Sequence, residues 1–156
     1  THYSGEIGRH FLKWEQHAEF VTYTVFTHGL SARAFDPAEF EVFPDDWLAR
    51  APGGRITSAL IRVEKRPEAE VLRENLKSWF VPESLAVSEV LDADAVVATD
   101  FRINPAGHMR MAVLVGPRAG ARRVGRVVQR LCEIETYKAM SMLGFERVRR
   151  LGGQIA

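Results

Sequence analysis

Residues 84–116, SLAVSEVLDADAVVATDFRINPAGHMRMAVLVG, restrict the fold more than any other stretch of the chain. Two turn-forming clusters, Asp92-Ala93-Asp94 and Asn104-Pro105-Ala106-Gly107, divide it into three apolar runs of strand length. Connections that short join antiparallel neighbours, because a parallel pair needs a crossover of a dozen residues or more. The stretch therefore predicts three consecutive antiparallel strands.

The flanks supply the rest of an α+β domain. RHFLKWEQHAEFVTYTVF, residues 9–26, is rich in aromatic and β-branched residues and reads as one strand or a pair of strands. Its parity changes midway. Leu12, Trp14 and Phe20 alternate with Lys13, Glu15, His17 and Glu19, yet Val21, Tyr23 and Val25 fall on the charged row's parity. A bend or bulge at Gln16-His17-Ala18 would reconcile the two halves. Residues 28–55 form a long connection punctuated by Gly29, Pro37, Pro44, Pro52 and Gly53-Gly54, with one short helix in FPDDWLAR that has Asp45 or Asp46 near its start. RITSALIRVE is the next strand.

A helix follows Pro67, with Val71, Leu72, Leu76, Trp79 and Phe80 recurring at helical spacing. The last element is a helix from about Arg118 to Leu143, ended near Gly144. The resulting order, β-β-β-α-β-β-β-α, predicts a single domain over residues 1–156, with helices packed on one face of a mainly antiparallel sheet.

Composition narrows the function classes. The apolar fraction of 46% and charged fraction of 26% belong to an ordinary globular domain. Cys132 is the only cysteine, so neither an intrachain disulfide nor a zinc site built on several cysteines is available. No run reaches the length of a membrane span, and Thr1 opens without a methionine or signal region, as in a piece of a longer chain. Residues 118–150 carry nine Lys or Arg against three acids, net +6, while the remainder is net −5. The basic end suits either a phosphate-bearing surface or the chain's own acidic part.

Most catalytic signatures are absent. GARRVGRV, residues 120–127, approaches a phosphate-binding loop, but Arg126 and Val127 stand where lysine and a hydroxyl residue are needed, so magnesium has no ligand. Arg118, Arg122, Arg123 and Arg126 at a helix start remain candidates for an anion site, since cations there oppose the helix dipole unless an anion is present. The histidines show no metalloprotease spacing, no nucleophile elbow occurs, and no nucleic-acid signature is present. No cofactor is required by any motif.

Two constellations carry possible chemistry. On the last helix, Val124, Val128, Leu131, Glu135, Ala139 and Met142 share a stripe flanked by Cys132, Val127 and Leu143. Glu135 therefore points into a core and needs a partner, with Lys13, His17, Arg62, Arg102 and Arg110 of the sheet as candidates. On the first strand, Glu15 and His17 share a face and with Glu135 could form an acid–base or metal site, with Arg102 as an anion contact. The competing account is a solvated face or a structural ion-pair network.

Three stretches carry a family resemblance: LKWEQHAEFVTYT (12–24), TDFRI (99–103) and GRVVQRLCEIETYKAMSMLG (125–144). They resemble an uncharacterised bacterial "predicted membrane-anchored protein" family, a domain of unknown function. Lys138 and Cys132 stand where that family pattern has arginine and leucine. The resemblance implies further sequence on both sides and putative membrane spans beyond this region; the basic C-terminal end suits the cytoplasmic side of a membrane. It implies no reaction and assigns no site residue. The function expected is a ligand-sensing or protein-interaction module, with an unknown small ligand or protein as partner and a possible homodimer; the alternative is an enzyme using Glu15, His17 and Glu135.

Overall fold

The computed structural model describes residues 1–36 and 42–155, so Pro37 of the long connection lies outside the described residues. The elements are β1 (His2–Ile7), β2 (His10–Gln16), β3 (Val21–Thr27), α1 (Asp45–Arg50), β4 (Ala59–Lys65), α2 (Ala69–Trp79), a single 3-10 turn (Pro82–Ser84), β5 (Ala86–Val90), β6 (Ala95–Ile103), β7 (Met109–Val115) and α3 (Ala121–Ile155). The α+β class and the 84–116 meander are as the sequence predicts. The strands, however, form two sheets: β1-β2-β3, and β4-β7-β6-β5 with β4 parallel to β7.

The parity change in residues 9–26 is a hairpin and not a bulge. His17 donates its backbone N–H to Phe20 O, and the chain reverses over residues 17–20. Reversal sets Trp14 opposite Tyr23 and Leu12 opposite Val25, while Lys13 faces Thr24 and Glu15 faces Thr22. Antiparallel partners share a face, so Tyr23 and Val25 join the row of Trp14 and Leu12, while Phe11 pairs with Phe26 on the face of Lys13 and Glu15. Tyr23 then meets Phe43 and Trp47 of the α1 region edge-on, at ring-centroid separations of 5.8 and 5.2 Å. α1 begins at Asp45, and both Asp45 and Asp46 lie in its first turn.

The four-stranded sheet is the centre of the core. Leu60, Val96, Ala98, Ala112 and Leu114 pack with Leu76 and Phe80 from α2 and its C-terminal end, with Phe35 from the preceding connection, and with the flanking Leu72 and Trp79. Val71, grouped with them by spacing, is instead 47% exposed. The alternate residues Ala95, Met109, Met111 and Val113 are buried too. On that side Lys138 of α3 reaches the Met109 sulfur. The two main helices therefore lie on opposite faces of this sheet, where the sequence placed them on one.

α3 is longer than its sequence predicts. It continues through Gly144 and on through Gly152 and Gly153. A glycine inside a helix costs about 1 kcal/mol relative to alanine, which other residues can offset. Here no proline follows Gly144, and Glu146 pairs with Arg150 at 2.6 Å, one turn apart.

Candidate functional site

Glu135 occupies the position its stripe predicts: it is 5% exposed, in the middle of the apolar face of α3. Its partners are not those of the sheet row. Lys138, one turn along the same helix, approaches at 2.6 Å, and Thr57, just before β4, donates its hydroxyl to Oε1 at 2.7 Å. The expected partners Arg62 and Arg110 are committed elsewhere, to Glu64 and Asp100. A spacing of three brings a cation to the carboxylate without any demand on the sheet, which is why a local pair displaced the tertiary one.

The other candidate catalytic residues each hold a separate partner. Glu15 pairs with Lys13 at 2.9 Å. His17 sits in the β2–β3 turn, stacked on Phe20 with ring centroids 4.5 Å apart, its Nε2 3.4 Å from the Thr22 hydroxyl. Arg102 donates from Nε to Ser84 Oγ at 3.1 Å. Among the described residues, no three His, Cys, Asp or Glu side chains gather in a way that could hold a metal ion. The Lys13 charge does reach α3, where it acts on Cys132: burial pushes that thiol up, Glu133 adds to the rise, and Lys13 counteracts it. Cys132 is accordingly a protonated, weakly nucleophilic thiol at neutral pH.

The arginines at the start of α3 find anions within the chain. Arg118 Nε lies 3.2 Å from Asp94 Oδ1, and Arg123 Nη2 lies 2.9 Å from Asp92 Oδ2. Both aspartates belong to the β5–β6 turn, which sets two carboxylates beside the helix N-terminus and answers the dipole problem locally. Arg122 and Arg126 are exposed on the first turns. The turn itself has three successive left-handed residues, Leu91, Asp92 and Ala93, at φ 56°, 57° and 64°. That conformation is costly for residues with a Cβ.

The most heavily bonded polar node was not legible in the sequence. Asp100 has a fully buried side chain, and its carboxylate accepts three hydrogen bonds: from Val81 N at 2.9 Å, Arg102 N at 3.0 Å and Arg110 Nη2 at 2.7 Å. Arg110 also donates to Trp79 O at 2.9 Å and lies over the Phe80 ring at 5.8 Å. One carboxylate and one guanidinium thus tie the end of α2, the 3-10 turn, and β6 to β7. The β6–β7 register shifts between Thr99 and Ile103, and Phe101 adopts φ 54° within that shift. This irregularity is what turns the Arg102 N–H onto Asp100 and leaves Phe101 and Ile103 63% and 70% exposed. Only the sequence TDFRI, polar residues inside an apolar strand, hinted at it.

Concavities are shallow. One of about 340 Å³ lies between α2 and β5, lined by Leu72, Leu76, Leu85 and Val87 with Arg73 and Lys77. Another of about 340 Å³ is formed by Tyr23, Trp47, Arg50, Ala51 and Pro52. Neither is lined by Glu15, His17, Glu135 or Arg102. Glu15 and Glu135 are thus each paired with a neighbouring lysine, and neither lines these two concavities.

These features define an α+β domain whose polar nodes bind its own elements together and whose last helix extends away from its core. The chain belongs to the DUF3422 family, proteins of unknown function, whose family model matches residues 1–156. Comparison with curated proteins and with solved structures finds no match. Among the described residues no helix is long and apolar enough to cross a membrane.

Proposed function

We propose that this chain is a protein-interaction module of a membrane-associated protein and that the second half of α3 is its interaction arm. One observation carries the reading. The buried stripe of α3 ends near Met140, and residues 141–153 are exposed throughout. Within that exposed stretch Phe145, Val148 and Leu151 are 67%, 66% and 58% exposed. An apolar helix face is normally buried against something, because a helix gains most of its stability from packing that face. A photo-crosslinking amino acid at Val148 tests the arm in the producing cell. Discrete adducts are expected there and not from a control position on the opposite side of the domain, such as Glu70. Absence of adducts at Val148 removes the reading.

The membrane association draws on the family resemblance and on Arg147, Arg149 and Arg150, which cluster near the end of α3. Basic residues close to an anionic leaflet contribute about 1 kcal/mol each. The chain is expected to sediment with vesicles containing anionic lipid and to remain in solution with neutral vesicles. Equal binding to both, or none to either, removes the basic end as support.

A further inference from the structure

We propose that residues 134–151 of α3 pack antiparallel against the same segment of a second copy of this chain. The inference rests on the interaction-arm reading above and names its partner.

Four exposed apolar residues of α3, Ile134, Tyr137, Val148 and Leu151, fall on a seven-residue repeat whose two central positions hold the small residues Ser141 and Gly144, with Met142, Leu143 and Phe145 beside it. Ile134, Ser141 and Val148 occupy one position of the repeat, and Tyr137, Gly144 and Leu151 occupy the position three residues on. That spacing is the seam of a two-helix coiled coil. The seam is distinct from the stripe that the domain buries. Ile134 and Tyr137 are 62% and 67% exposed, although Glu135 between them is buried. A partner can therefore lie along the helix without displacing the core.

Size and charge together select a second copy in antiparallel orientation. With the crossing point between residues 142 and 143, Ile134 meets Leu151 of the partner subunit, Tyr137 meets Val148 of the partner subunit, and Ser141 meets Gly144 of the partner subunit. The bulky residues pair near the two ends, and the smallest pair sits at the centre, where the backbones approach most closely. The same register sets Glu133, which its own helix engages only through exposed contacts to Gln129 at 3.0 Å and Arg130 at 3.5 Å, beside Arg147 of the partner subunit, once on each side of the two-fold axis. Arg147 is exposed and enters no ion pair among the described residues. Phe145 faces its own counterpart across the axis, and so does Met140. A parallel pair is the poorer arrangement. It would set Glu133 beside Lys138 of the partner subunit, and Lys138 is already held by Glu135 at 2.6 Å. It would leave Arg147 beside a glycine. Helix dipoles also oppose one another favourably only in the antiparallel form.

The test combines mass and orientation on the purified chain. Sedimentation equilibrium is expected to give twice the chain mass. A Val148→Glu, Leu151→Glu variant is expected to halve it while the thermal midpoint of the domain stays within a degree or two of the monomer's. A spin label at Arg126→Cys, with Cys132→Ser to leave one site, reads orientation. At 1.5 Å rise per residue the antiparallel register separates the two labels by about 50 Å. A parallel pair would bring them within about 25 Å, given helix axes about 10 Å apart. A short distance overturns the orientation, and a monomer at the highest soluble concentration overturns the second copy as occupant. In that last case adducts from Val148 in cells would contain another protein and the interaction-arm reading would stand. No adduct at all would remove both.

Discussion

Replacing Asp100 with alanine is expected to lower the unfolding free energy by about 3–5 kcal/mol, the range for breaking a buried ion pair from one side. Arg110 would be left with its guanidinium largely buried and no counter-charge, and the N–H groups of Val81 and Arg102 would lose their acceptor. Asp100→Asn should fare little better. An amide has one acceptor oxygen where the carboxylate has two, and its NH₂ would face an N–H donor on one side. Urea unfolding checks this: the midpoint should fall sharply for both variants, with an unchanged slope if the native state keeps its compactness. A loss below about 1 kcal/mol, the net value of one ordinary hydrogen bond, would mean that the node is dispensable and that the end of α2 is held by packing alone.

Gly116→Ala is the second change with a large expected effect. A Cβ there would run into both the backbone O and Oδ1 of Asp94. Gly116 also donates its N–H to that same backbone oxygen. The obstacle is backbone, so it can move only by shifting the β5–β6 turn, whose three left-handed residues leave it few alternatives. Overpacking of this kind costs about 1–3 kcal/mol. Because Asp94 also holds Arg118, the start of α3 should loosen with the turn, visible as faster amide exchange over residues 118–124. Gly125→Ala is the matched control. Nothing lies within 4 Å of a Cβ at that helical position, so the change should stabilise by about 0.5–1 kcal/mol. Equal effects from the two substitutions would dismiss the close approach at Gly116.

The sequence made some of this legible and hid the rest for identifiable reasons. The three strands of residues 84–116, the helix after Pro67 and the buried position of Glu135 all follow from periodicity, because each lies in a segment long enough to show its repeat. β1 was missed: HYSGEI has a central glycine and little apolar contrast, and it is a strand chiefly because β2 pairs with it. The hairpin at residues 17–20 carries none of the usual two-residue turn signals, so the parity change looked like a bulge. Gly144 suggested a helix end, whereas the stabilising Glu146–Arg150 pair lies beyond it. Among the candidate site residues, the sequence placed Glu135 correctly but not its partners. A carboxylate on a helix can be met by a lysine three residues away, and spacing alone does not rank that above a cation on the sheet. Asp100 was invisible as a node because its three donors come from separate places, the segment after α2, the irregular end of β6, and β7.

The position of β4 has a consequence for how the chain is made. β4 ends at Lys65, yet its sole neighbour in the sheet is β7, which begins at Met109. Every segment between them, including α2 and the β5–β6 hairpin, emerges from the ribosome before β4 has an edge to join. Pairing between distant segments is slow, because the loop must be closed before its contacts reward closure. Until Val115 is available, Leu60 and the apolar face of α2 have no complete sheet to cover them. A nascent chain halted in that interval exposes an unpaired strand and an uncovered helix together, which makes this the stage of its biogenesis most in need of a chaperone.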